Sequence, residues 1–349
     1  MPSDSGTVDG SRFASRPCVS FLALTLPSLA ALWAFSAWHV ANTGFWCDES
    51  MQFWMSLGVD GFAPPHSPPG GLRDAIHDNA VANLDPGGFT LILRYWLRVG
   101  TGELWQRVLP SLFFGLGMAG MGFIGWTHRK SLLFGLLCSI VPWAFPLILD
   151  YATEVRAYSM EFAGIVIGCA VVDRLVEPSS TRTALFAGTV FGFFLTARYS
   201  FALFAIAACL TVARAHLGRR PGTLTTRCGH LLAFFMPIGF SGAVIFALAF
   251  WPQYAARITY DGGAMIQYLA PATAAAKSTR EIGEMLAVNL LHPAGLPLTV
   301  AALLGLLALM PRSVRDRVRF DEIVTRLGGP RFVSFGVLCL AAIMLTALV

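Results

Sequence analysis

Two carboxylates stand side by side in Phe45-Trp46-Cys47-Asp48-Glu49-Ser50, just beyond an apolar run that ends near Ala41. An acidic pair at the membrane edge is a source of a general base: Asp48 is the candidate base and Glu49 its neighbour. The plainer alternative is an acidic pair that complements a helix dipole. A second concentration of charge lies in Asp150-Tyr151-Ala152-Thr153-Glu154-Val155-Arg156-Ala157-Tyr158. Helical spacing would put Asp150, Glu154, Tyr158 and Glu161 on one stripe, with Glu161 inside the bilayer, where an ionisable residue faces a cavity or a paired partner. Arg156 and Arg198 share one side of the membrane, and a guanidinium fork suits a phosphate. In Asn83-Leu84-Asp85-Pro86-Gly87-Gly88, Asp85 reads as a helix N-cap with Pro86 at the first helical position. The histidines show no ligand spacing, and the chain has no phosphate-binding glycine loop, dinucleotide fingerprint or paired-cysteine metal pattern. No metal site is expected.

These residues are carried by a chain that is 55% hydrophobic and 13% charged, with a mean hydropathy of +0.62. That balance excludes an ordinary soluble domain and points to an all-α polytopic membrane protein. The net charge of +5 needs no nucleic-acid partner, because Lys and Arg at cytoplasmic helix ends give the same excess. Four of the cysteines, Cys138, Cys169, Cys209 and Cys339, sit in apolar runs and read as packing residues rather than a disulfide framework.

A span takes about 20 apolar residues, and nine windows qualify: Val19–Ala41, Leu104–Thr127, Ser131–Leu149, Glu154–Val176, Ala184–Ala197, Phe201–Ala213, Leu231–Trp251, Ala287–Met310 and Phe332–Val349. The fifth and sixth are separated only by Thr196-Ala197-Arg198-Tyr199-Ser200. Counting that stretch as a turn gathers Arg129, Arg174, Arg182, Arg214, Arg227 and the arginines between Arg312 and Arg331 on one side with Arg12 and Arg16. The positive-inside rule makes that side cytoplasmic. The organisation expected is a cytoplasmic tail, 1–18, and one transmembrane domain, 19–349, with exterior segments 42–103 and 252–286 and no soluble C-terminal domain, in a bacterial inner membrane. Within the first exterior segment, Met51–Leu57 and Phe89–Val99 read as interfacial amphipathic helices, joined through a Pro- and Gly-rich linker at Pro64–Gly71. Trp54, Trp96 and Trp105 suit the headgroup zone. The glycines Gly115, Gly117, Gly120, Gly122 and Gly125 offer close helix approach.

Four motifs in order, Asp48-Glu49, Asp85-Pro86-Gly87-Gly88-Phe89, Arg107-Val108-Leu109-Pro110-Ser111 and Glu154-Val155-Arg156-Ala157-Tyr158, resemble the GT-C superfamily of lipid-carrier-dependent glycosyltransferases. The likeness is to bacterial relatives of protein O-mannosyltransferases and aminoarabinose transferases. That family has an acidic pair after its first span, a His/Lys-Pro-Pro-Leu-Tyr element, an Arg-x-Pro-Ser opening of the next span and a Glu-Ala-Arg-Pro-Tyr element. Here Gly87 replaces the second proline and Asp85 the basic residue. The resemblance implies an inverting transfer of a sugar from a polyprenyl phosphate to an acceptor hydroxyl on a glycan, lipid or protein, with no cofactor beyond the donor. It implies Asp48 as base, Glu49, Glu154 and Asp85 as its helpers, and Arg156 with Tyr158, Arg198 or Lys277 at the lipid phosphate. Two other classes compete: a secondary transporter using Glu161 and Arg156 as a relay, and a non-catalytic lipid-binding membrane subunit. The absence of an inverted repeat and the gathering of polar residues at one membrane face speak against the transporter.

Overall fold

The computed structural model describes residues 30–38, 44–45, 47–59, 68–83, 85–129, 131–144, 151–176, 179–218 and 223–260. The expected tail, most of the first span, the last two spans, Asp150 and the greater part of segment 252–286, including Lys277, lie outside the described residues. Among the described residues every regular element is helical. Residues 30–38 form α1, followed by α2 (Cys47–Leu57), α3 (Leu72–Ala82), α4 (Gly88–Trp96), α5 (Glu103–Arg129), α6 (Leu132–Ile140), α7 (Tyr158–Val176), α8 (Thr181–Leu195), α9 (Ser200–Gly218), α10 (Leu224–Ile245) and α11 (Trp251–Tyr260). A 3-10 turn, Val141–Ala144, extends α6, and a π-helical stretch, Phe246–Phe250, carries α10 into α11.

Three helices are long and apolar enough to cross a membrane: Glu103–Arg129, Ser200–Leu217 and the continuous Thr225–Ala255. Leu132–Trp143 and Thr181–Leu195 are apolar but shorter. Helix α7 has 19 residues but carries Glu161, Asp173 and Arg174. Hydroxyl caps set where several helices begin. Ser131, Ser180 and Thr223 accept from the backbone N–H groups of Phe134, Thr183 and Thr226, which would otherwise lack an intrahelical partner. Between α8 and α9 the chain turns over Thr196 to Tyr199, so the two short apolar windows are separate helices.

Small residues set the packing. Helices α5 and α7 run parallel and close: a Cβ on Gly117 would enter the Phe162 ring, and one on Gly120 would meet Val166. Helix α6 takes another side of α5, where Gly122 lies against the Gly135 carbonyl. Helix α8 rests on α10 with Gly188 over the Phe234 backbone. Phe191 stacks on Phe204 (5.8 Å between ring centres) and meets Phe234 edge-on (5.5 Å) in the core between α8, α9 and α10. In lipid such contacts hold helices together through fit rather than through expulsion of water.

Helices α2, α3 and α4 cap the end of the bundle at which α5, α7 and α9 begin. The opposite helix ends carry Arg129, Arg174, Arg182, Arg214 and Arg227. There His216 of α9 bonds to the Leu175 carbonyl (3.1 Å), and its ring stacks on that of His230.

Candidate functional site

Adjacent residues on a helix diverge by about 100°, and this separates Asp48 from Glu49. Glu49 points into the protein. Arg107 donates from Nη1 to its Oε1 (2.7 Å) and from Nη2 to its Oε2 (2.9 Å), and the Val155 backbone N–H donates to Oε1 (2.9 Å). Arg107 also reaches Glu103 Oε1 (3.1 Å) and the Thr153 carbonyl (3.1 Å), and its guanidinium lies over the Phe45 ring. Arg107 is 1% exposed and Glu49 2%. Their bidentate pair ties α2, the start of α5 and the segment before α7 into one unit, with no access for a substrate.

Asp48 instead stands at the surface, 41% exposed, and accepts from Arg156 Nη1 (2.7 Å). Of the two neighbours, then, Glu49 is inward and locked, and Asp48, the candidate base, is the accessible one. Arg156 lies 3.9 Å from Glu154 Oε1. Residues 154–156 form a bend, with the Arg156 N–H donating to the Glu154 carbonyl (2.7 Å), and the helix starts only at Tyr158. The expected helical stripe through Glu154, Tyr158 and Glu161 is thus broken, because the bend takes Arg156 onto Asp48 of α2 and leaves Glu154 beside Arg156.

Tyr158 joins the two halves of the cluster. The guanidinium carbons of Arg198 and Arg156 lie 4.3 Å and 5.2 Å from its ring centre, and Tyr151 stacks on it at 4.4 Å. Arg198 comes from the α8–α9 turn and donates from Nε to Asp85 Oδ1 (3.2 Å). Its Nη1 lies 3.7 Å from Glu161 Oε2, and Glu161 also accepts from the Ser200 hydroxyl. Burial pushes the Asp85 carboxyl above its ordinary 3.8, and Arg198 and, more weakly, Arg156 pull in the other direction without cancelling it. Burial disfavours the Arg198 cation, but Asp85 and Glu161 more than offset this and raise its pKa. Among the described residues no three His, Cys, Asp or Glu side chains gather as a metal-holding group.

Asp85 is not the N-cap. Gly87, at φ +92°, caps α4, in a left-handed conformation that an L side chain adopts only under strain. The next residue, Gly88, donates its N–H to the Thr196 carbonyl (2.9 Å), and a Cβ there would overlap the Thr196 side chain. The Gly-Gly pair that departs from the resembled Pro-Leu pattern thus brings the Asp85 loop directly onto the turn that presents Arg198. A buried amide network holds the loop from the other side. Gln52 donates to Thr90 Oγ1 (2.7 Å), Thr90 to Asn79 Oδ1 (2.6 Å), and Asn83 to Asn79 Oδ1 (3.1 Å) and to Gln52 Oε1 (3.3 Å). Asn79 Nδ2 and Gln253 Nε2 both donate to the Asp85 carbonyl, at 3.0 Å and 2.9 Å, and the Tyr199 hydroxyl donates to Gln253 Oε1 (2.8 Å).

The structure therefore brings Asp48, Glu154, Arg156, Tyr158, Arg198 and Asp85 together and sets Glu49 apart. Lys277 lies outside the described residues. Sequence reasoning missed α3 and the roles of Gln52, Asn79, Asn83 and Gln253, and it treated Arg107 only as part of a motif. The sign of α3 was available in Ala75, Asn79, Ala80 and Asn83, buried at helical spacing. Comparison with family models, with curated proteins and with solved structures finds no match for this chain.

Proposed function

We propose that this protein is a GT-C-type inverting glycosyltransferase that moves a sugar from a polyprenyl phosphate to an acceptor hydroxyl at the exterior face of a bacterial inner membrane. The observation that carries this reading is the Asp48–Arg156–Tyr158–Arg198–Asp85 cluster. It sets an accessible carboxylate and two partly exposed guanidinium groups around one aromatic ring, at the capped end of apolar helices, where a donor with an isoprenoid tail must be met.

In the proposed reaction the acceptor oxygen attacks the anomeric carbon, its proton passes to the Asp48 carboxylate, and the sugar–phosphate C–O bond breaks with its electron pair leaving on the lipid phosphate. Inversion puts base and leaving group on opposite faces of the sugar. Arg156, in contact with Asp48, stands on the base's side and orients it together with Glu154. Arg198, held across the Tyr158 ring, is the better receiver for the phosphate. Tyr158 offers its ring as a platform between the two. Lys277 is a further cation for the phosphate, and no cofactor takes part in the scheme.

We place the capped end outside and the N-terminus in the cytoplasm, within a bundle of nine spans, because Arg129, Arg174, Arg182, Arg214 and Arg227 share the opposite end. An impermeant thiol reagent should label a cysteine introduced at Asp74 in intact cells, and labelling only after lysis would refute the orientation. For the reaction, purified protein in lipid should release polyprenyl phosphate from a radiolabelled lipid-linked sugar only when an acceptor is added. Sugar crossing the bilayer unaltered would favour a transporter, and tight donor binding without release a lipid-binding subunit.

A further inference from the structure

Four carboxylates, Asp48, Glu154, Asp85 and Glu161, face two guanidinium groups, Arg156 and Arg198. Among the described residues the cluster is thus short of positive charge before any anion arrives. A phosphate that takes a guanidinium leaves a carboxylate without its counter-ion, and a buried carboxylate in that position either finds water or takes a proton.

The two aspartates differ in which of these is open to them. Asp48 is exposed enough to swing into water with its charge hydrated. Asp85 has no such route: its side chain is 9% exposed, and its carbonyl is held by both Asn79 and Gln253. Among the described residues its carboxylate accepts a hydrogen bond only from Arg198. Glu161 keeps the Ser200 hydroxyl when Arg198 is drawn toward an anion. The groups around Asp85 are Arg198 and Tyr199 of the α8–α9 turn, Arg156 ahead of α7, Tyr158 and Glu161 of α7, Asn79 of α3 and Gln253 of α11. Of these only Arg156 is a second cation; it acts on Asp85 more weakly than Arg198 does and is bonded to Asp48 instead.

Resting on the glycosyltransferase reading, we propose that the donor phosphate binds at Arg198 together with one proton, taken up by Asp85. The proton comes from solvent as the donor binds and returns to solvent as the lipid phosphate leaves, so none is consumed per turnover. Burial already raises the proton affinity of the Asp85 carboxyl while Arg198 is in place, and withdrawing Arg198 removes the largest opposing influence.

The test uses the full-length protein in lipid nanodiscs with farnesyl phosphate, a soluble isoprenoid phosphate, as the probe. Titration calorimetry in buffers of different ionisation enthalpy at about pH 7, where a phosphate monoester is mostly dianionic, counts the protons exchanged. The wild type should take up about one proton more than Asp85→Asn. Its affinity should fall by up to about tenfold per pH unit on the alkaline side, while that of the variant stays comparatively flat. Equal proton counts with intact affinity would overturn this inference and leave the transferase reading standing, and no binding by the wild type would overturn both. If Asp85→Asn fails to fold, zero proton uptake by the wild type alone is enough to defeat the proposal.

Discussion

Asp48 and Glu49 are neighbours in the chain, yet each belongs to a different kind of charge cluster. At Glu49 the ion pair is shut off from water, with Arg107 forked onto the carboxylate and the Val155 amide completing it, and only Glu103 at its edge reaches solvent. Around Asp48 the same residue types are more loosely held and partly wet, and they are spread over a tyrosine ring. Buried, fully bonded ion pairs resist exchange because breaking them strands a charge in a medium that cannot solvate it. The Arg156–Asp48 pair, whose carboxylate is in contact with water, can trade one anion for another at little cost. The locked and the accessible carboxylate are thus separated by the direction of one peptide step, and the lock holds α2, α5 and the bend at 154–156 in the register that presents Asp48 to Arg156.

If this division holds, the largest effect on folding comes from the lock. Removing one partner of a buried ion pair costs about 3–5 kcal/mol, so Glu49→Gln and Arg107→Ala should lose most of their folded, monodisperse yield in detergent. Normal thermal stability in both would show that the pair is dispensable and that the contrast with Asp48 is superficial. Asp48→Asn should do the reverse, leaving the melting temperature unchanged and slowing transfer by about 10²–10⁴-fold, the usual range for loss of a general base. Wild-type turnover in that variant would remove the base assignment.

Gly88→Ala sharpens the comparison from the other side of the cluster. The added methyl would collide with Thr196 and strain the Gly88 N–H···O bond that positions the Arg198 turn. We expect donor affinity to weaken by about tenfold, on the order of 1.4 kcal/mol, with turnover at saturating donor little changed. A fall in turnover with unchanged affinity would mean that the turn serves the acceptor or the base instead.

How much of this was legible beforehand depended on distance along the chain. The turn at 196–199 could be read because arginine counts are insensitive to packing, and the α5 glycines because close approach has a compositional mark. Helices α2 and α4 could be read from their apolar spacing. Helix α3 escaped because Asn79 on its buried face and Asn83 at its C-terminal cap are polar and bond to Thr90 and Gln52, so a scan for apolar residues passes over it. Arg107 looked like one letter of a motif because its partners lie 58 and 46 residues away. The bend at 154–156 could not be foreseen from spacing: what makes it favourable is Glu49 accepting the Val155 amide, a contact 106 residues distant. Gln253 belongs to the same class, since nothing local announces that it will bond to the backbone of Asp85.

The smallest effect tests whether Asp85 sits under the electrostatic load that burial implies. Its folded-state pKa is raised above 3.8, with burial the largest cause and Arg198 opposing it. The folded protein therefore binds this proton more tightly than the unfolded chain does. The stabilisation that follows is present in full below 3.8 and is lost as pH climbs through the raised folded value, where the buried carboxyl must ionise. Asparagine cannot ionise, so in Asp85→Asn this one contribution to the pH dependence should vanish. Melting temperatures of both proteins, taken from just below 3.8 upward, should show the wild type losing ground to the variant as the pH rises, and the gap should level off once Asp85 is fully charged. A gap that stays constant with pH would mean that Arg198 fully compensates the burial of Asp85, and the two clusters would then differ in access to water but not in electrostatic load.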